Sequence, residues 1–435
     1  MQTQHRPSPR DRIVIIGAGF GGFQAAQSLA GAAADVLLID RHNYHTFVPL
    51  LYQVATAQLE PSLIAYPIRT KLRKMPNVRF LPAEVHRIDF DNKLVDTAAG
   101  LIPYDYLVLA TGTQASFHGI PGAAAHTFGL KSLADAIALR HHLLTCIERA
   151  AITVDDDERR RLMTFLIVGG GATGVEMAGA LAELLRDAMG RDFPELRGWG
   201  TIVLVQSGGY LLPEFAPRLG NYTHRHLEKL GVKVRLNTRL THVSATQATL
   251  NEQEAIATST VIWAAGIEAA RPGLAQPAAA AKQGRFIVDD TLRLIDHPHV
   301  YALGDVAFLA QRDVQLSGVA PEALQQGVAV ARNLRRQLQG DRPQPFRYFN
   351  KGRLAIIGGF GGVGRVLGMN LRGWLPWLMW LLVHGVYLPG YRSRLVVMLT
   401  WVQNYALGDR ALRQRLPVVS SESVRQLDWP ASGDR

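Results

Sequence analysis

Short apolar runs that close on a glycine turn or an acid set the pattern of this chain. From Arg12 to Ile16 the residues are almost all apolar, as a strand buried on both faces requires. Gly17-Ala18-Gly19-Phe20-Gly21-Gly22 follows directly, Phe23 to Ala30 reads as a helix, and Asp35 to Ile39 is a second apolar strand ending in Asp40. Strand, glycine turn, helix, strand and acid are the parts of a dinucleotide-binding βαβ unit, here with Gly17 and Asp40 23 positions apart. Gly17 permits the tight turn, Gly19 lets the backbone approach a pyrophosphate, and Gly22 lets helix and strand pack closely. Asp40 is placed to accept hydrogen bonds from a ribose.

The same pattern returns about 150 residues later. Thr164 to Val168 is the strand, Gly169-Gly170-Gly171-Ala172-Thr173-Gly174 the turn, Val175 to Met189 the helix and Thr201 to Val205 the next strand. Gly169, Gly171 and Gly174 repeat the three glycine roles, and Gln206 stands where the acid is expected. Glutamine carries no charge to repel a 2′-phosphate, and no arginine stands beside it, because Ser207, Gly208, Gly209 and Tyr210 follow. The residue predicts weakened discrimination between NADH and NADPH. Glu176, just inside the second helix, either favours the helix dipole or sits between nicotinamide and a flavin.

Two further strands end in small residues that open on a cofactor: Ala110-Thr111-Gly112 closes the first unit, and Ala264-Ala265-Gly266 closes the second. Val300 to Leu303, ending in Gly304-Asp305, reads as a strand returning to the first unit, with Asp305 placed against the ribityl or phosphate region of a flavin. The expected architecture is α/β. Two Rossmann-like dinucleotide-binding domains are joined by insertion of the second into the first, with a C-terminal helical region that associates with a membrane. The FAD domain takes residues 10–135 and 266–350, the NAD(P)H domain 155–265, and residues 351–435 hold the final core strands and the amphipathic anchor.

The anchor expectation comes from Trp374 to Val383, ten apolar residues with three tryptophans, and from Leu395 to Val402, preceded by Arg392 and Arg394. Neither reaches the ~20 residues needed to cross a bilayer. Tryptophan flanked by arginine suits a helix lying in the membrane interface, and a dimer interface is the competing reading.

Composition narrows the chemistry. The chain has 435 residues, 48% hydrophobic and 19% charged, an ordinary globular balance. Cys146 is its single cysteine, so an internal disulfide and any mechanism built on a redox cysteine pair are excluded. The thiol reads as a small hydrophobe in a helix. The net charge is +11, and seven arginines but one acid lie between Arg365 and Arg415. No basic stripe interleaved with aromatics points to nucleic acid, and no metal-ligand spacing is present. The N-terminal lead-in lacks the apolar core of a signal peptide.

Taken jointly, these motifs resemble the type II NADH:quinone oxidoreductases. The resemblance rests on Asn43-Tyr44-His45 with Pro49 to Ala55, on Gly174-Val175-Glu176 with Ala178 to Glu183, and on Trp263 to Gly266. It continues through Tyr301 to Asp305, Gln325-Gln326-Gly327, Phe346 to Gly358, and the tail with Trp380 and His384. It spans residues 12–408. It implies FAD in the first unit, NADH in the second, and a quinone as acceptor, without proton pumping. It further implies a homodimer held peripherally on the cytoplasmic face of the inner or plasma membrane. Glu176, Gln325, Gln326 and Lys351 are the catalytic candidates it supplies: the glutamines to contact the quinone, Lys351 and Glu176 to tune or protonate. A polar helix face is the plainer reading of the glutamines, and a solvated strand residue that of Lys351. Departures are Pro321, where many members have glutamine, and the glycine-rich turn Gly359-Phe360-Gly361-Gly362.

A soluble reductase of a ferredoxin or rubredoxin shares the two nucleotide motifs but has no use for the apolar tail. Disulfide reductases and sulfide:quinone oxidoreductases need more cysteines than one. A flavoprotein that senses NADH without turnover is the reading from a different class.

Overall fold

The computed structural model describes residues 10–311, 314–315 and 318–407. The expected anchor residues beyond 407 lie outside the described residues.

Two parallel sheets dominate. The first runs in the order Val300–Ala302, Tyr106–Leu109, Asp11–Ile16, Ala34–Asp40, Val78–Pro82, with Ile13 paired to both Val36 and Tyr106. The second runs Val232–Arg235, Thr201–Val205, Thr164–Val168, Thr260–Trp263, with Val168 paired to Val205 and Trp263. Ile13, Val14 and Ile15 are fully buried, as are Phe165, Leu166 and Ile167. Covering a parallel sheet on both faces leaves no room for polar alternation, which is why these strands read as unbroken apolar runs. The return of the chain at Val300 closes the first sheet at its edge, so the second sheet is formed by chain inserted between two strands of the first.

Small antiparallel elements join the two units. Thr113–Ala115 pairs with Ile267–Ala269, so the outgoing and returning chain run side by side. The helix Leu133–Ile152 follows and is started by a capping box in which Ser132 accepts the Asp135 amide.

After the helix Ala320–Leu338 comes a three-stranded antiparallel sheet, Arg353–Gly358, Gly361–Val366 and Met369–Gly373. It lies on the second unit: a Cβ on Gly179 would fall 1.8 Å from the Ile357 carbonyl oxygen. The glycine-rich turn has the same cause. A Cβ on Gly361 would meet the His226 ring at 2.5 Å, and one on Gly362 the Trp377 amide at 2.7 Å. Glycine lets the hairpin lie between the helix Pro217–Lys229 and the tail.

The tail is two helices, Trp374–Tyr387 and Tyr391–Leu407, each longer than its apolar run suggested. Trp380, Leu388, Val397 and Trp401 join the main core, while Trp374, Leu382, Val386, Tyr391, Leu395, Leu399 and Val402 are exposed. Among the described residues, no helix is long and apolar enough to cross a membrane.

Candidate functional site

The two glycine turns are built alike at their three glycine positions. Gly17 and Gly169 adopt φ of +100° and +112°, a region that favours glycine. A Cβ on Gly17 would sit 2.4 Å from the Ala110 carbonyl oxygen, and one on Gly169 2.5 Å from that of Ala264. Gly22 packs on the Gly17 carbonyl and Gly174 on that of Gly169, where a Cβ would meet oxygen at 2.0 and 1.8 Å. Gly19 and Gly171 are different, because a Cβ on either has no atom within 4 Å. Each faces open space at the N-terminus of its helix, Phe20–Ser28 or Ala172–Glu183, the geometry that suits a pyrophosphate.

Asp40 secures the first turn: Oδ2 accepts the Ala18 amide at 2.7 Å, and Oδ1 the His42 amide at 2.8 Å. Gln206 does the same in the second, its Oε1 accepting the Gly170 amide at 2.9 Å. The preceding carbonyls match too, since Gly17 donates to Ile39 at 2.8 Å and Gly169 to Val205 at 2.9 Å. Gly169 and Gln206 are 37 positions apart, against 23 for Gly17 and Asp40; the excess is taken up before the second strand, and the two side chains occupy equivalent positions.

Further along the first unit, the Thr111 hydroxyl is buried without a hydrogen-bond partner, and Gly112 has φ of +70° with open space around its Cβ position. Gly304, also left-handed at +70°, donates its amide to Gln326 Oε1 at 2.6 Å. Asp305 accepts from Thr113 Oγ1 at 3.4 Å; burial pushes its carboxyl up, and Lys131, Arg285 and Thr113 pull it back. An orphaned hydroxyl, an open glycine cradle and a buried carboxyl at the carboxyl ends of neighbouring strands fit the length and polarity of FAD. On the second unit, Ala265 lies beneath Gly169, and Gly266 packs on Ser116 and His118 at the junction between the units.

Glu176 projects from the second helix toward the tail. Its Oε1 lies 3.4 Å from the Ile356 amide, and the Trp380 indole also donates to it. Dense packing around the carboxyl raises its pKa to about 8, so it carries a proton at neutral pH. Tyr52 lies against Trp380 with ring centroids 6.2 Å apart, and burial raises its hydroxyl well above the ordinary range. Trp380 stacks on His384 at 3.8 Å. His384 Nδ1 bonds the Trp380 carbonyl at 2.8 Å, and burial depresses its pKa to about 4.

An open cavity of about 1000 Å³ lies along the outer face of the helix Ala320–Leu338 and is walled on one side by the tail. Pro321, Gln325, Lys351 and Tyr387 line it, with Phe20 of the first glycine turn. Lys351 Nζ is 3.4 Å from the Tyr387 hydroxyl. Both ends of the Gln325 amide are held by the Phe349 backbone, at 2.9 Å each. Gln326 is buried, with Nε2 on Glu322 at 2.9 Å and Oε1 on Gly304. The structure thus brings Gln325 and Lys351 to one cavity and places Gln326 under the Gly304-Asp305 turn, with its amide fully engaged. Glu176 is not among the residues lining that cavity.

Comparison with known proteins agrees with this arrangement. The model of the pyridine nucleotide-disulphide oxidoreductase family matches residues 11–327, which hold both glycine cradles. The type II NADH:quinone oxidoreductase NdhA of Mycobacterium tuberculosis is 37% identical over 411 residues, covering 90% of this chain and 86% of its own length. The chain belongs to the type II NADH:quinone oxidoreductases. Ndh of the same organism is 35% identical over 416 residues, covering 92% of this chain and 89% of its own length. The fold is that of NDH2 from Plasmodium falciparum, solved in complex with NADH: the TM-score is 0.84 at 20% identity, over 94% of this chain and all of that one.

Within this type II oxidoreductase, the cysteine pair implied by the wider family's description has no counterpart, since Cys146 is the single cysteine and is buried. Several site residues carried no motif signal of their own. Lys131, the cation beside Thr113 and Asp305, simply precedes the cap of a helix. His45 Nδ1 bonds the Ala18 carbonyl at 2.8 Å beneath the first glycine turn. Gln53 Oε1 accepts the Trp401 indole N–H at 2.8 Å, across 348 residues of sequence. His45, Tyr52, Gln53, Trp380 and His384 stood inside the segments that carry the family resemblance, but only their partners reveal what they do.

Proposed function

We propose that this chain oxidises NADH and reduces a respiratory quinone. FAD is held by the unit of residues 10–135 and 266–350, and NADH by residues 155–265. The observation that carries the reading is the pair of equivalent glycine cradles in one chain, each with its middle glycine open and its acid-position side chain fixing the turn.

Gly17, Gly19, Gly22 and Asp40 hold the adenosine diphosphate end of FAD, and Ala110, Thr111, Gly112, Gly304 and Asp305 its remainder. Bound FAD supplies the redox chemistry, taking two electrons from NADH and passing them to the quinone. Gly169, Gly171 and Gly174 take the pyrophosphate of NADH, Gln206 meets the adenosine ribose, and Ala265-Gly266 border the nicotinamide. Gln206 presents no charge against a 2′-phosphate, so NADPH is accepted as a second donor. Glu176 holds a proton at neutral pH and serves as the local proton store. Lys351 offers a cation to the oxygen that becomes negative as the quinone is reduced. Gln325 secures the Phe349 backbone next to Lys351, and Gln326 secures the Gly304-Asp305 turn. These two are positioning residues.

The exposed apolar residues of the tail rest in the interface of a membrane, on its cytoplasmic face, and the same region forms a homodimer. Tryptophans and tyrosines at the edges of a helix that cannot span a bilayer favour this placement.

The test is NADH oxidation by detergent-purified, FAD-loaded protein, with and without a short-chain ubiquinone or menaquinone analogue, repeated with NADPH. Fast turnover that depends on quinone is expected. Flavin bleaching by NADH without quinone turnover overturns the acceptor and leaves the two nucleotide sites standing.

A further inference from the structure

The cavity along the Ala320–Leu338 helix has more charge than a neutral quinone needs. Six cations line it: Lys71, Arg332, Arg336, Arg347, Lys351 and Arg394. No carboxylate lines it among the described residues. Arg332 and Arg336 are one turn apart on the same helix, a like-charge arrangement that disfavours the helix unless something negative faces it. Arg336 has Asp341 at 3.9 Å and donates to the Arg342 carbonyl. Arg394 donates to the Leu388 carbonyl and Lys351 approaches the Tyr387 hydroxyl. Lys71, Arg332 and Arg347 form no ion pair among the described residues.

The cations come from four separate parts of the chain: Lys71 from the helix Ile68–Leu72, two arginines from Ala320–Leu338, Arg347 and Lys351 from the segment after it, and Arg394 from the tail. From Pro321 to Arg336 the helix extends roughly 22 Å. The Gln325 end is thereby separated from the Arg332–Arg336 end by about two to three turns. The wall opposite the helix includes Tyr387, Pro389, Gly390 and Tyr391, and Tyr387 and Tyr391 are themselves exposed. The basic cavity is therefore continuous with the apolar outer face of the tail.

We propose that the Arg332 end of this cavity binds the phosphate of an anionic phospholipid, whose acyl chains lie against the exposed tail residues. The charge is complementary, and the apolar continuation commits the occupant to a lipid in preference to a free phosphate. The site rests on the membrane reading given above, and it adds a headgroup preference which that reading does not contain.

The experiment is flotation of the full, FAD-loaded chain with vesicles of phosphatidylcholine alone or with added phosphatidylglycerol, at low salt. One variant carries Lys71→Gln, Arg332→Gln and Arg347→Gln. A control carries Arg79→Gln, Arg87→Gln and Lys233→Gln, the same loss of charge outside the cavity. Each basic residue near an anionic surface is worth roughly fivefold in partitioning, so the cavity variant should lose on the order of a hundredfold for anionic vesicles. The control should keep most of its affinity. Flavin content and bleaching by NADH verify that both variants are folded. Equal losses in the two variants, or an anionic preference that survives in the cavity variant, overturn the headgroup site. Calorimetric binding of inorganic phosphate that the cavity variant loses, with vesicle binding unchanged, reassigns the cavity to free phosphate and overturns the lipid. Wild-type protein that floats with neither vesicle refutes the membrane reading itself. Binding to both vesicles alike leaves that reading intact and refutes only the headgroup preference.

Discussion

Gln206 accepts the amide proton of Gly170 in the same place, and at nearly the same distance, as Asp40 accepts that of Ala18. One side chain is charged and the other neutral, yet both perform the structural task of closing the glycine turn. The charge is therefore dispensable for closing the turn, and under the proposed assignment it bears on the nucleotide. Gln206→Glu retains the acceptor and adds a negative charge where the proposed function puts the adenosine ribose. It should lower kcat/KM for NADPH on the order of tenfold to a hundredfold through repulsion of the 2′-phosphate, and change the value for NADH little. Steady-state kinetics with both donors check this, and equal effects on the two place Gln206 away from the ribose.

The three glycines of each turn separate fold from ligand. Gly22→Ala drives a methyl into the Gly17 carbonyl, so the variant should fail to accumulate as soluble protein. Gly19→Ala meets nothing in the protein, and its backbone angles, φ −67° and ψ −169°, suit alanine. It should fold normally, with an unchanged circular dichroism spectrum, and lose most of its FAD. Gly171→Ala should keep FAD and raise KM for NADH by tenfold or more. If Gly171→Ala lost flavin instead, the assignment of the two cradles would be reversed.

These turns were legible in the sequence because local backbone geometry demands specific residues: Gly17 and Gly169 adopt positive φ, and Gly22 and Gly174 touch a carbonyl. The buried strands themselves were legible through unbroken apolar runs, because a parallel sheet covered on both faces leaves no polar alternation. The parts hidden from the sequence depend on contacts between distant segments. No pattern near Gln53 announces Trp401, and none near Lys131 announces Asp305. Gln325 and Gln326 show the limit most clearly. Adjacent on one helix, they point to different neighbours, one to the Phe349 backbone and the other into the buried Gly304 turn.

Glu176 should make stability and turnover depend on pH in a predictable sense. Its folded-state pKa of about 8 lies above its unfolded value of 4.5, so the folded chain holds a proton that the unfolded chain releases between those pH values. Stability attributable to this group therefore falls as pH rises from about 4.5 to 8 and changes no further above that. In Glu176→Gln the fall is absent. The melting temperature of the variant relative to wild type should climb across that window. The wild-type pH profile of quinone reduction should show a limb near pH 8 that the variant lacks. A constant difference in melting temperature from pH 5 to 8 would exclude a protonated Glu176.

The tail is tied to the core by the Trp401 indole on Gln53. Trp401→Phe keeps an aromatic ring and leaves the buried Gln53 oxygen without its donor, at a cost of about 1–3 kcal/mol. Because the tail helices make the contact, the loss should show first as faster proteolysis between Tyr391 and Leu407, before global unfolding. Adding Gln53→Leu removes the orphaned oxygen and should restore part of the resistance. Additive damage in the double variant would mean the two residues do not share the bond.

His384, buried in the tail with its ring edge-to-face against Phe47, gives the tail an acid-sensitive packing point. Burial depresses its pKa to about 4, and the bond from Nδ1 to the Trp380 carbonyl is compatible with the neutral ring. The unfolded ring takes up a proton near pH 6.5 and the folded one resists until about 4, so the unfolded state binds more protons in that interval. Stability from this group is complete above pH 6.5 and is lost as pH falls toward 4. His384→Asn keeps a donor for the Trp380 carbonyl and cannot be charged. It should begin with lower stability at pH 7, because the stacking on Trp380 is lost. It should then lose less than wild type between pH 6.5 and 4. Denaturant midpoints measured across that range decide the matter: parallel declines in the two proteins would mean that His384 reaches solvent and protonates with an ordinary pKa, and that its packing on Trp380 does not seal the tail against the core.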